Sequence, residues 1–291
     1  MGYTSWPSYP LNTTDADFRQ WGSAISAAMA AIGLTQASDT GQINWATVTH
    51  PAINTLGGYE IWRFNDSAQS TRPIYIRIEY RTGSVIDRPA NSWTVGTGTN
   101  GAGTITGTIL AAGTHSPLVA TATPGHSFAC YDAVTGTFWL ALWHGHVSNS
   151  CTRMMAVARG WNADETAQET DYIGAWDWTA TNFASAVVWR STSTVTSNVI
   201  ASSHPQHGFR WGPFETIYAG KWILWSDKAI YFPGFLTVGA GEILFGNEVP
   251  AAPLGAVEHN YWFLSLPNAA PFTVGYSGTS NANTRLLALW E

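Results

Sequence analysis

The sequence predicts an α+β fold that is predominantly antiparallel β: an N-terminal helix packed on a twisted sheet, followed by a β-sandwich or barrel-like region. Three observations carry this expectation. Helical periodicity is strong in one segment only, between Thr14 and Gly33. The segment Pro73–Tyr80 alternates cleanly, with Ile74, Ile76, Ile78 and Tyr80 on one side and Tyr75, Arg77 and Glu79 on the other. Beyond residue 112, short apolar runs return at roughly the 8–12-residue spacing of sandwiches and barrels.

The elements follow in order. Residues 1–12 are rich in Pro and aromatics without period, and read as an extended arm laid across a neighbouring subunit, or as a frayed terminus. Residues 13–112 form a helix-plus-sheet module. Thr14-Asp15-Ala16-Asp17 resembles a capping box with Asp in place of Glu. Phe18, Trp21, Ile25, Ala28, Met29 and Ile32 then mark a helix over 15–32, and Gly33 ends it. The opposite side is small (Gly22, Ser23, Ser26, Ala27, Ala30), which suits a helix covered on both faces. Gln42–Thr49 is expected as a strand, Gly57-Gly58 as a turn, and Tyr59–Phe64 as a strand.

Trp93–Gly98 and Thr104–Leu110 read as a hairpin around the stretch Gly96–Gly107. That stretch is long, uncharged and built of Gly and Thr. A phosphate-cradling loop would end in Lys followed by Ser or Thr and open a helix; here no Lys follows, and Thr104-Ile105-Thr106 reads as strand. Residues 113–291 form the β-rich module. Its expected strands are His126–Ala133, Thr137–His144, Thr152–Ala158, Ala184–Arg190, Trp222–Ser226, Ile230–Phe235, Glu258–Leu266 and Thr284–Trp290. Asn162–Asp177 is acidic and polar, and reads as a surface loop.

Composition bounds function. Of 291 residues only 11% are charged, against roughly 25% in ordinary domains. The only lysines are Lys221 and Lys228. Sixteen Trp, eleven Tyr and twelve Phe exceed what one core of this size usually takes; a large aromatic-rich β core is the favoured reading, and some rings at interfaces or stacked on sugars the alternative. The net charge of −6 and the lack of a basic stripe argue against direct nucleic-acid binding. There is no apolar run of about eighteen residues to span a membrane. The start, Met1 to Pro7, shows neither a basic nor an apolar leader region, and Trp6 stands where a myristoylation motif wants Ser or Thr. The expectation is synthesis in a host cytoplasm, with Cys130 and Cys151 as free thiols.

Several constellations suggest chemistry. His126, Cys130, His144, His146 and Cys151 are donors that zinc prefers, though their spacing matches no common zinc pattern, and a small core cysteine with hydrogen-bonded histidines is the alternative. A Cys130–Cys151 disulfide across paired strands is a further alternative. His204-Pro205-Gln206-His207 with Glu215 could do acid–base work or form a polar turn. Asp164, Glu165, Glu169 and Asp171 could hold a glycosidase pair or calcium, or line a solvated loop. Trp139, Trp143, Trp176 and Trp178 could stack on glycan or fill the core. No nucleophile elbow or His-Glu-x-x-His motif is present. The expectation is no catalytic residues, no cofactor and no metal.

The stretch Asp17-Phe18-Arg19-Gln20-Trp21-Gly22-Ser23-Ala24-Ile25, the run Leu34 to Trp45, Gly58-Tyr59-Glu60-Ile61-Trp62-Arg63-Phe64 and the Gly96–Gly107 segment together resemble a family of uncharacterised structural proteins of tailed bacteriophages. The closing Leu287-Ala288-Leu289-Trp290-Glu291 is similar to the ends of such chains. The resemblance covers about the first 110 residues well and the rest loosely, and it brings no functional residues with it. It implies a non-enzymatic virion component that works by assembly with copies of itself and other phage structural proteins. The tail tip or baseplate region is the favoured place, since β modules rich in Trp and Thr suit adsorption structures. A head or head–tail connector, a module binding host surface glycan, and a cell-envelope hydrolase are the alternatives in falling order. Trp6, Tyr9, Phe18, Trp21 and Ile25 are the residues expected at the assembly interface, in a closed symmetric oligomer.

Overall fold

The computed structural model describes residues 2–7, 9–84, 87–115, 126–134, 136–143, 152–161, 168–179, 182–190, 193–195, 223–224, 230–231, 235–238, 256–258, 261–265 and 286–290. They form one helix and three antiparallel sheets, a mixed α+β fold dominated by β. The first sheet has five strands: β2 (Thr35–Gln36), β3 (Leu56–Arg63), β4 (Tyr75–Thr82), β5 (Pro89–Thr99) and β6 (Ile105–His115), in that spatial order. The second has nine. Its main path runs β1 (Gly2–Pro7), β7 (His126–Asp132), β8 (Thr137–Trp143), β9 (Thr152–Trp161), β10 (Gln168–Thr179), β11 (Asn182–Arg190) and β12 (Ser193–Val195), with β13 (Ile223–Leu224) and β14 (Ile230–Tyr231) joined through β9. The third holds β15 (Phe235–Val238), β16 (Ala256–Glu258), β17 (Tyr261–Ser265) and β18 (Leu286–Trp290), ordered β15-β18-β17-β16. None of the sheets closes on itself.

Helix α1 spans Asp15–Ala31. Thr14 caps it from an extended backbone: its Oγ1 accepts from Asp17 N at 3.1 Å and donates to Asp17 Oδ2 at 2.9 Å. The box is therefore closed between side chains, because Asp is too short to reach back as Glu does. At the other end Gly33 N donates to Ala30 O and Leu34 N to Met29 O, with Gly33 at φ +98°. This is a Schellman stop, and the buried Leu34 and Met29 supply its usual apolar contact. Phe18, Trp21, Ile25, Ala28 and Met29 are buried, as the 3.6-residue period requires. The small side is used at one point: Trp45 lies across Gly22 so closely that a Cβ there would stand 1.9 Å from its ring. Gln20, Ala27, Ala30 and Ala31 stay exposed.

Sheet alternation decides the rest. On β4, Ile76, Ile78 and Tyr80 are fully buried while Tyr75, Arg77, Glu79 and Arg81 are half-buried. The same inward face continues through Glu60 and Trp62 of β3 and through Trp93 and Val95 of β5, which pair with it in register. A single core cluster joins this face to Phe18, Ile25 and Met29 of the helix and to Tyr131, Phe138, Leu140, Met155, Val157 and Ile173 of the nine-stranded sheet. The rings of Phe64 and Tyr131 meet at 5.0 Å across the two sheets. Among the described residues, no helix is long and apolar enough to cross a membrane.

Five sequence expectations need correction. Gln42–Thr49 is not a strand: Asn44 Oδ1 takes Ala46 N, Asn44 O takes Thr47 N and Val48 N, and the resulting turn lets Ile43 and Trp45 pack on the core. Gly57-Gly58 is not a turn but part of β3 beside a register shift, where Phe18 and Pro51 crowd Gly57 and Ile43 crowds Gly58. Asn162–Asp177 is not all surface loop, since residues from Gln168 onward build β10 and Asp177 is buried. Glu258–Leu266, expected as one strand, divides into the β16–β17 hairpin. The terminal arm is also ordered in an unexpected way: Gly2–Pro7 pairs with His126–Tyr131 of the same chain and forms the edge of the large sheet.

Candidate functional site

The charged side chains that the fold takes inside are the places where chemistry could occur. Among the described residues three clusters hold most of them, and Asp39 is buried apart from these at the Gly-rich hairpin. In the first, Glu60 of β3 shares the inward face with Trp62 and is 1% exposed. Its Oε1 accepts from Ser26 Oγ at 2.6 Å and Trp45 Nε1 at 3.0 Å, and its Oε2 from Tyr80 OH at 2.6 Å. A buried carboxylate is costly unless its lone pairs are filled, and here helix, loop and sheet each send a neutral donor. Burial, then the nearby Glu60 charge, pushes the Tyr80 phenol well above its ordinary value of 10.0.

The second cluster joins the two larger sheets. Arg159 of β9 donates from Nε to Asp66 Oδ2 at 2.5 Å and from Nη2 to Asp66 Oδ1 at 2.9 Å, a bidentate pair with both side chains fully buried. Its Nη1 donates to the carbonyl of Arg72 at 2.6 Å, and its plane lies 5.8 Å from the Phe64 ring centroid. Gly136 sits against this pair. A Cβ there would stand 2.8 Å from both Arg159 Cδ and Asp66 Oδ2. Nearby, Asn65 N donates to Tyr131 OH at 2.8 Å, and burial raises that phenol strongly.

The third cluster, farther along β9, is Arg153. It donates from Nε to Asp177 Oδ1 at 3.1 Å and from Nη1 to the Asn91 carbonyl, and its guanidinium lies 4.0 Å over the Trp93 ring. Burial lowers the arginine and raises the aspartic acid, while their mutual attraction works the other way on both. Beside them the Asn91 amide is fully buried, with neither Oδ1 nor Nδ2 partnered.

In each cluster the charge is saturated by groups of the framework. The hydroxyls of Ser26 and Tyr80 are both donated to Glu60, and among the described residues no three His, Cys, Asp or Glu side chains converge as metal ligands would. Sequence parity carries a signal for these groups that no motif does. Arg153 and Arg159 alternate with Met155 and Val157, Asp177 follows Ile173 and Ala175, and Glu60 precedes Trp62 and Phe64, so each charge occupies an inward position.

The residues singled out from sequence lie elsewhere. Phe18, Trp21 and Ile25 are 0%, 5% and 0% exposed; the chain's own core takes them up, which leaves them no surface for a neighbouring subunit. Trp6 and Tyr9 are half-buried, Trp6 against that core. The backbones of Trp139 and Trp143 lie in β8, and those of Trp176 and Trp178 in β10, with their rings outside the described part. Cys130 is a buried free thiol in β7; burial, then the charge of Asp132, pushes it up to about 12. His126 opens the same strand, while His144, His146 and Cys151 lie outside the described residues, as do Asp164, Glu165, His204, His207 and Glu215. Glu169 and Asp171 belong to β10. The Gly-rich segment is the expected hairpin: Asp39 takes Thr99 Oγ1 at 2.9 Å and Gly103 N at 3.0 Å, and Asn100 Oδ1 closes the turn on Ala102 N and Thr104 N. No protein-family model matches the chain, and no curated protein and no solved structure matches it.

Proposed function

We propose that this chain is a non-enzymatic structural component of a tailed-bacteriophage virion, made in the host cytoplasm and working by subunit assembly, with the tail tip or baseplate region as its place. The observation that carries the reading is the use of buried charge: Glu60, Asp66, Arg153, Arg159 and Asp177 are all bound to framework donors and acceptors. Charge spent in this way holds layers together and keeps these five groups engaged with the framework. A chain with 11% charged residues that places several of them inside presents a surface of Thr, Ser, Gly and Asn, which suits contact with other protein surfaces. The shared core of the five- and nine-stranded sheets further supports a sandwich-like unit built from those two sheets. The resemblance of the first 110 residues to phage structural proteins points the same way.

The test is immunogold labelling of density-purified virions of the encoding phage, with quantitative mass spectrometry of the same particles. Label at the distal tail end with a fixed copy number is expected. Label at the neck or head would move the chain to a connector or decoration role, and its absence from purified particles would overturn the reading.

A further inference from the structure

We propose that the free edge of β6 pairs antiparallel with the same edge of a second copy of this chain, about a two-fold axis, and so joins two five-stranded sheets into one. The inference rests on the assembly reading above and names the partner. It comes from comparing sheet edges. Among the described residues, six of the seven edge strands are short: β1 has six residues, β2 two, β12 three, β13 two, β15 four and β16 three. Short edges are one way in which natural sheets avoid adding a foreign strand. The seventh, β6, runs for eleven residues and, among the described residues, hydrogen-bonds only to β5.

The usual chemical guards are missing from it too. Ile105-Thr106-Gly107-Thr108-Ile109-Leu110-Ala111-Ala112-Gly113-Thr114-His115 has no Lys, Arg, Asp, Glu or Pro. The strand can therefore meet its own copy without like charges facing each other, as an isologous contact requires. Its inward side chains Ile109, Leu110 and Ala112 are buried, and the strand packs toward β10 and β11. Its outward side chains are small and open: Thr106, Thr108 and Ala111 are exposed, and nothing lies within 4 Å of a Cβ built at Gly113. Small outward side chains let a second backbone come to hydrogen-bonding distance. One guard does remain. Ile109 is an extra residue against Val95 and Gly96, and a second irregularity lies between Asn91 and Trp93, so the ladder divides into three runs. That limits the pairing to a few bonds on each side and makes the contact reversible, as suits a subunit that meets its neighbours during particle assembly.

The experiment is sedimentation velocity on the full chain over a concentration series, for wild type and for Thr108→Lys/Ala111→Lys. A wild-type dimer that becomes monomeric in the double variant, with an unchanged circular dichroism spectrum, is expected. A wild type that stays monomeric up to about 100 µM, or a dimer that survives both lysines, would overturn the proposal. Should the variant misfold, hydrogen exchange on wild type decides: β6 amides must gain protection as concentration rises, and concentration-independent exchange overturns the pairing. These outcomes are separate from virion labelling. A chain found in particles but monomeric in solution sinks only the β6 pairing, and a β6 dimer absent from particles sinks only the virion role.

Discussion

Single side chains hold the two larger sheets in place. The Arg159–Asp66 pair is fully buried, so removing one partner leaves an uncompensated charge. Asp66→Ala is expected to cost about 3–5 kcal/mol, while Asp66→Leu with Arg159→Met costs less than either single change; urea unfolding of the three variants checks this, and additive losses would contradict it. Gly136 makes the pair sterically feasible and has φ +65°. Gly136→Ala should therefore lose at least about 2 kcal/mol through strain and displacement of Arg159. Cys130 is predicted to resist iodoacetamide at pH 8 in the native state and to react on unfolding, because burial keeps the thiol protonated up to about 12. Peptide mapping of the alkylated protein reads this directly. Fast native labelling of Cys130 would mean that β7 opens locally.

The helix shows how an element is set by its ends and one face. Thr14 starts it, Gly33 stops it, and Phe18, Ile25 and Met29 bind it to the sheet. Ile25→Asp places an unpaired carboxylate among apolar groups and should abolish folding, read as loss of the far-ultraviolet circular dichroism signal and of soluble yield. A soluble, cooperatively folding variant would contradict the burial of that face. The sequence made this helix, β4 and the β5–β6 hairpin legible, since each depends on local periodicity or turn chemistry. The strand expected over Gln42–Thr49 fails because the Asn44 side chain binds its own backbone more readily than a ladder would. β10 was hidden because Glu169 and Asp171 precede its apolar half and read as solvent-facing.

At the scale of the whole molecule, three groups among the described residues link stability to alkali. The thiol of Cys130 and the phenols of Tyr80 and Tyr131 all have raised values in the fold, from ordinary values of 9.0, 10.0 and 10.0. Below about pH 8 they are neutral folded or unfolded, and their contribution is complete. As pH rises past those ordinary values, the unfolded chain loses protons that the native chain keeps, so stability falls. The urea midpoint should decline from about pH 9 upward, and Tyr80→Phe should flatten part of that decline. A midpoint that is flat between pH 9 and 11 would mean that these groups reach solvent in the native state.

By itself the sequence determined a mixed α+β fold dominated by antiparallel β, the helix with its caps and a charge-poor composition, because periodicity, capping and composition are properties of neighbouring residues. Only the tertiary structure decided where the charges went. Arg159 finds Asp66, Arg153 finds Asp177, and Glu60 finds Ser26, Trp45 and Tyr80 across gaps in sequence that no local pattern spans. It also turned the N-terminal arm into an edge strand on β7 and, among the described residues, left β6 as the long edge. Pairing partners are chosen by the shape of the shared core, and that shape exists only once the sheets have met.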